Sequence, residues 1–224
     1  MKAKNYLGII FFLGTLSSCV TPPENFPSVP EISFSGVEFV PVPGAPDSLI
    51  VSIGFKDGEG DLGLNPRDTY PPFHFADYNR NENGALITYS QRPPEAPSFN
   101  PIDWEINPIV NNAVFRDTVW VTPNPDHHNI FVRFFIKRGG NYEEFKWSAP
   151  PFFTTFNGRF PRILTDDRER AIEGNISYGM LSSGWTSIFR NDTVRLDVQI
   201  QDRQLNKSNV ISTPDFTIQQ VTRR

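Results

Sequence analysis

The chain has 224 residues, one cysteine, three histidines and a formal net charge of −4. A single cysteine excludes an internal disulfide, so burial of apolar side chains must hold the fold together. A mildly acidic chain has no electrostatic attraction for nucleic-acid phosphates or anionic lipid headgroups, which excludes nucleic acid as a partner.

The first residues have the layout of a secretory signal. Two lysines precede the apolar run 7–16, which would be about 15 Å long as a helix and is too short to span a bilayer. The run ends in Leu-Ser-Ser-Cys at 16–19, which resembles the lipobox of bacterial lipoproteins. We therefore expect residues 1–18 to be a cleaved signal peptide and Cys19 to be acylated, which would anchor the chain in membrane lipid. An ordinary cleaved signal is the alternative.

Residues 19–30 contain four prolines and predict an extended tether. Beyond the tether, four apolar side chains share one face in each of the runs 49–55, 130–136 and 194–200, which predicts β-strands. The sequence Arg-Gly-Gly-Asn at 138–141 predicts a hairpin turn. The expected fold class is all-β, an antiparallel β-sandwich. Further short strands are predicted at 32–40, 85–89, 116–121, 142–147, 152–156, 171–178 and 209–218.

Two strands look like copies of each other. Residues 47–57 and 192–202 both open on Asp-Ser or Asp-Thr, continue with a four-membered apolar alternation and close on Asp. A degenerate repeat of this kind predicts two immunoglobulin-like units, one at 31–150 and one at 151–224. The alternative is that strands with Asp-rich turns resemble one another without being repeated.

The loop after the first of these strands is acidic and rich in glycine. Its residues 58–63 fit a G-x-G-x-x-G pattern, but no helix follows and the surrounding acids would repel a pyrophosphate, so nucleotide binding is rejected. Asp57, Glu59 and Asp61 at alternate positions, with Asp68 at position twelve, are a candidate ligand set for Ca²⁺. The glycine spacing and the Asp at position twelve depart from the usual calcium loop. The alternative is a turn whose acids face water.

The same loop resembles a group of small outer-membrane lipoproteins of Bacteroidota-type bacteria. These proteins carry a strand that runs into an Asp-Gly-(Asp/Glu)-Gly-Asp-(Leu/Ile)-Gly loop, which Phe55 to Gly63 match here. Residues 202–208 are similar to the polar loop found near their C-terminus. The resemblance implies an outer-membrane lipoprotein with β-sandwich domains, and it implies no particular activity.

Residues 65–112 are rich in proline and asparagine, and only one short strand is predicted within them. A loop of this length with dispersed aromatic side chains predicts a recognition surface for a protein or a glycan. The alternative is that the rings pack beneath the loop as a small core of their own. The candidate contact residues are Phe73, Phe75, Tyr78, Phe99 and Trp104.

The sequence contains none of the common catalytic motifs of serine hydrolases, zinc proteases or phosphate-binding enzymes. We therefore expect a non-enzymatic binding, accessory or scaffold subunit that docks on an outer-membrane protein complex. The alternatives are a carbohydrate-binding surface lipoprotein and a hydrolase. Whether it would face the periplasm or the cell surface is left open.

Overall fold

The computed structural model describes residues 26–166 and 168–223, and nearly all of their regular structure is β-strand. The predicted all-β sandwich class is confirmed. The signal 1–18, Cys19 and the first part of the tether lie outside the described residues. The elements are β1 (Glu31–Val40), β2 (Asp47–Asp57), β3 (Ala76–Tyr78), β4 (Trp104–Ile106), β5 (Ile109–Val110), β6 (Ala113–Val114), β7 (Thr118–Pro123), β8 (Ile130–Arg138), β9 (Asn141–Phe145), β10 (Ile172–Ser182), the helix α1 (Trp185–Phe189), β11 (Val194–Ile200) and β12 (Ile211–Ser212).

The first sheet has the strand order β1-β2-β10, and both pairs are antiparallel. β2 is the central strand, and each of its 11 residues has a partner in β10. The alternation predicted at 49–55 is seen directly, because Leu49, Val51 and Ile53 have 0% exposed surface. β2 therefore presents one fully buried face.

The second sheet has the order β12-β11-β8-β9, again antiparallel. The inward side chains of β11 are completely buried, as the alternation at 194–200 predicts. β8 and β9 form the predicted hairpin, whose turn contains Gly139 and Gly140 at positive φ. Glycine suits this turn because it has no Cβ to oppose a positive φ.

The inner faces of the two sheets meet in one hydrophobic core. β2 and β10 supply it from one side, and β8 and β11 from the other. Burial of each aliphatic side chain stabilises the fold by about 1.5–3 kcal/mol, so this layer is the main source of stability. At its edge, α1 adds Trp185 and Phe189, whose rings stack on Phe134 with centroids 5.7 and 5.9 Å away.

The predicted division into units 31–150 and 151–224 is not followed by the strands. β10 pairs with β2, and β11 pairs with β8, so both sheets contain strands from both predicted units. The buried residues of both also belong to one core. The repeated strands β2 and β11 lie in opposite sheets of one sandwich, because an alternating pattern determines which face is buried but does not choose the neighbouring strand.

Two shorter predictions also need correction. No strand forms at 152–156, where Phe152 and Phe156 instead pack edge-on against Trp147. The long loop 65–112 contains β3, β4 and β5, which are too short to show an alternating pattern. Together with β6 and β7 they build a three-stranded sheet, order β3-β7-β4, and a β5–β6 hairpin. We call residues 65–129 the inserted module.

No helix in residues 26–166 or 168–223 has the length and apolar character needed to cross a membrane.

Replacing Leu196 by Ala is expected to lower the free energy of unfolding by about 2–5 kcal/mol, because it leaves a cavity in the shared core. Replacing Leu181, which is 65% exposed on β10, by Ala is expected to change it by no more than about 0.5 kcal/mol. Urea unfolding followed by tryptophan fluorescence measures both. Equal effects of the two substitutions would contradict the assignment of buried faces.

Candidate functional site

Two inward-facing aspartates lie where the apolar core ends. The buried alternation of β2 continues from Phe55 to Asp57, and Asp202 follows Ile200 by two residues beyond the end of β11. Asp57 is 0% exposed and Asp202 is 2% exposed. Because side chains alternate with period two, both carboxylates continue the inner faces of their strands.

The two loops that follow these aspartates have the same internal hydrogen-bond pattern. Asp57 Oδ2 accepts from the backbone N–H of Asp61 at 3.0 Å, and Asp202 Oδ1 accepts from the backbone N–H of Asn206 at 2.8 Å. Each aspartate therefore caps its own loop through the residue four positions later. The similarity between residues 47–57 and 192–202 therefore extends into the loop that follows each strand.

The two loops also contact each other. Leu62 forms an antiparallel bridge with Asp202, and the backbone N–H of Arg203 donates to the carbonyl oxygen of Asp61 at 3.3 Å. These contacts bring Asp57, Asp61 and Asp202 together, and we call these three residues the acidic end cluster. Asp61 is 8% exposed, so all three carboxylates are largely removed from water.

The cluster is electrostatically costly. Burial, together with the negative charges of Asp202 and Asp57, raises the pKa of Asp61 to about 6, although Arg203 acts in the opposite direction. Burial also raises the pKa of Asp57, while backbone N–H groups of its own loop partly offset this effect. Raised pKa values of this kind are characteristic of functional sites, but buried structural networks produce them too.

Two oxygens of the cluster have no hydrogen-bond partner. Asp57 Oδ1 and Asp61 Oδ1 are inaccessible to solvent and unpaired among the described residues. A buried polar atom without a partner costs about 1–3 kcal/mol, and more when it is charged.

A surface pocket adjoins the cluster at Asp61. Its charged lining residues are Glu59, Asp61, Asp166, Arg168, Glu169 and Arg203.

Of the four predicted calcium ligands, the structure brings two together. Asp57 and Asp61 lie in the cluster, whereas the carboxylate of Glu59 accepts a hydrogen bond from a side-chain amide. Asp68 does not join them, because its carboxylate is held by the Arg162 guanidinium at 3.1 Å. Among residues 26–166 and 168–223, no group of three or more His, Cys, Asp or Glu side chains is arranged to hold a metal ion.

The alternative interpretation of this loop, a solvated turn, is also only partly correct. Gly60 and Gly63 have φ of +73° and +95°, as a tight glycine turn requires. However, Asp57 and Asp61 are buried and do not face water.

Asp202 was absent from the predicted ligand set. The repeat alignment was the signal for it, because that alignment places Asp202 opposite Asp57.

The aromatic side chains of the inserted module fall into two groups. Trp104 is only 2% exposed, and it packs between Tyr89 and Trp120 with ring centroids 4.9 and 6.2 Å away. This ring belongs to a small core within the module and is not available for a surface contact. Phe73 and Tyr78 are half-buried, and the Tyr78 hydroxyl donates to the carboxylate of Glu105 at 3.2 Å.

Two of the predicted contact rings and several aliphatic side chains of the module are exposed. Phe75 and Phe99 have 56% and 45% of their surface exposed, as a contact role requires. Ile109 and Val114 are opposite each other in the β5–β6 hairpin and are 69% and 60% exposed. The sequence analysis missed this aliphatic pair, because strands of two residues carry no periodic signal. Tyr70 and Ile106 are exposed as well.

One arginine attaches the inserted module to the sandwich. The side chain of Arg159 donates from Nε to the carbonyl oxygen of His127 at 2.5 Å, and from Nη2 to those of Phe73 at 2.7 Å and Asp68 at 2.9 Å. All three acceptors belong to the module, whereas Arg159 follows Gly158, which bridges to β8 at Ile130. The Arg159 guanidinium therefore binds both the first and the last residues of the module and holds them against the sandwich.

Comparisons with protein-family models, with curated proteins and with solved structures returned no match. The proposals below therefore rest on the chain itself.

Replacing Asp61 by Asn is expected to stabilise the protein at pH 7 and to have little effect at pH 4. Because the pKa of Asp61 is raised to about 6, the folded state favours the protonated side chain, and this contribution to stability is lost as the pH rises from about 4 through 6. The uncharged amide avoids that loss, which amounts to about 3 kcal/mol at pH 7 for a pKa raised from 3.8 to about 6. Urea unfolding at a series of pH values measures the difference.

Asp68→Asn is the matched control, with the opposite sign. Burial by itself would raise the pKa of Asp68, but the backbone N–H of Asn65 and the Arg162 guanidinium together lower it. Its contribution to stability is therefore present at neutral pH and lost as the pH falls below about 4. A pH dependence of the same sign in both variants would contradict this electrostatic account.

Proposed function

We propose that this protein is a lipid-anchored lipoprotein of the bacterial outer membrane that acts without catalysis. In this proposal it is an accessory subunit that docks on an outer-membrane protein assembly through its inserted module. The observation that carries the proposal is the exposed Ile109–Val114 pair at the β5–β6 hairpin. Adjacent exposed apolar side chains are typical of surfaces that a partner protein covers.

The surroundings of this pair support a contact role. Ile106, at the end of β4, is 62% exposed and lies three residues before the hairpin. The module has its own buried side chains, including Trp104, Val119 and Val121, so it is ordered without a partner. Arg159 also holds it on the sandwich. A surface that is ordered in advance loses less entropy on binding than a flexible loop does.

The membrane anchor is proposed from the sequence. The lipobox-like residues 16–19 end at Cys19, and β1 begins at Glu31. An extended, proline-rich tether between them would span about 30 Å at roughly 3 Å per residue. Such a tether would let the sandwich reach a membrane protein beside the anchor.

Capture of a partner from detergent-solubilised membranes tests the proposal. We expect the tagged wild-type protein to retain a membrane protein in a stoichiometric amount, identified by mass spectrometry. The double variant Ile109→Ser and Val114→Ser is expected to lose at least 90% of it, because the apolar contact is replaced by hydroxyl groups. Leu181→Ser is the matched control, since this exposed leucine lies on β10 outside the module.

Further results test the membrane anchor and the docking function separately. Cys19→Ala is expected to abolish acylation and to move the protein from the membrane fraction to the soluble fraction. Equal retention of the partner by the hairpin variant and the wild type would contradict docking through the module. Retention on an insoluble glycan with no protein partner would contradict the accessory function and favour carbohydrate binding.

A further inference from the structure

We propose that the attachment of the inserted module to the sandwich is sensitive to acid: it holds while the His127 ring is neutral and loosens when that ring is protonated. The attachment consists of Arg159 and the module residues that its side chain contacts, and we call it the Arg159 joint. The proposal concerns how the module is held and is independent of what its hairpin binds.

The geometry at one nitrogen of Arg159 carries the argument. Nη2 lies 3.0 Å from Nδ1 of His127 and 2.7 Å from the carbonyl oxygen of Phe73. Because a guanidinium has donors only, Nδ1 must be the acceptor, and it can accept only in a neutral ring whose proton is on Nε2. The contact therefore requires a neutral His127.

Protonation of the ring would change two contacts at once. Nδ1 would become a donor and would lose its bond from Arg159. It lies 3.1 Å from the carbonyl oxygen of Phe73, so two cationic donors would be drawn to the same oxygen. The ring would also carry a positive charge 3.0 Å from the guanidinium nitrogen, and like charges at this distance repel each other strongly when water is partly excluded.

Three aspartates at or beside the joint have other partners and do not offset this repulsion. Asp68 is held at 3.1 Å by an arginine outside the module, and Asp126 accepts a hydrogen bond from a side-chain amide at 3.1 Å. Asp77 lies 2.9 Å from Nε2 of His74. Among the described residues, no carboxylate forms an ion pair with the His127 ring.

Burial and charge oppose protonation of both histidines at the joint. Burial lowers the pKa of His127, and Arg159 and His74 add to this effect, while the carbonyl group of Phe73 acts in the opposite direction. Burial, together with His127 and Arg159, lowers the pKa of His128 to about 4. Neutral histidines thus contribute stability at pH 7 that is lost as the pH falls below about 6.5. At pH 5 His128 is still mostly neutral, so we expect His127 to respond first.

Acid is expected to loosen the joint and to leave the sandwich folded. At the base of the module, the Asn129 side chain donates to the backbone of Phe160 at 3.0 Å and accepts from it at 2.9 Å, and these groups do not titrate. The sandwich gains stability as the pH falls from 6 towards 4, because the raised pKa of Asp61 favours protonation in the folded state. The opening is therefore expected in residues 65–75 and 124–128.

Hydrogen exchange followed by mass spectrometry tests the proposal on the full-length, detergent-purified protein at pH 7.5 and 5.0, with rates corrected for the intrinsic effect of pH. Exchange in residues 65–75 and 124–128 is expected to rise about fivefold or more at pH 5.0, while exchange in 194–200 changes less than about twofold. His127→Asn keeps an acceptor oxygen that does not titrate, so its response is expected to disappear. His74→Asn, outside this contact, is the matched control and is expected to keep the response.

NMR titration of the His127 ring provides a second, independent test. The ring is expected to titrate below pH 6.5 in the wild type and closer to 6.5 in Arg159→Gln, which lacks the cation; a His127 with a packing role alone would titrate alike in both. The proposal is overturned if exchange in residues 65–75 and 124–128 does not rise at pH 5.0, if 194–200 rises equally, or if His127→Asn responds as the wild type does. None of these outcomes depends on capture of a membrane-protein partner.

Discussion

The face-to-face packing of two antiparallel sheets is the interaction on which the rest of the structure depends. β2 and β11 contribute fully buried inner faces from opposite sheets, and their side chains meet in one core. With a single cysteine in the chain, no internal disulfide can share this task. Both of the predicted units, 31–150 and 151–224, contribute strands to each sheet, so the order of strands in space differs from their order in the chain.

The same alternation that builds the core also buries two aspartates at its end, which costs free energy. One step beyond Phe55 and Ile200, period two places Asp57 and Asp202 on the inner faces, where an apolar side chain would be less costly to bury. Both aspartates offset part of that cost by capping their loops, yet two oxygens of the cluster remain unpaired. Places where a sequence gives up stability in this way are where function is expected.

The parts of this architecture that could be predicted are those with a local signal. Long alternating runs predicted β2, β8 and β11, and Gly139-Gly140 predicted the hairpin turn. Strand partners could not be predicted, because alternation specifies a buried face and carries no information about the neighbour. The sequence indicated that Asp57 and Asp61 belong to one loop, but Asp202 reaches them only through sheet packing. Trp104 was predicted as a contact residue for the same reason, because its burial depends on packing and has no signal in the local sequence.

The inserted module combines a small core of its own with an exposed apolar hairpin, and Arg159 holds it on the sandwich. In the proposed function, this hairpin contacts a membrane-protein partner. Site-specific photo-crosslinking in living cells tests it most directly, with a photoreactive amino acid at position 109 and, for comparison, at position 181. A discrete crosslinked membrane protein is expected from position 109 and none from position 181. No crosslink at either position, or the same product from both, would contradict it.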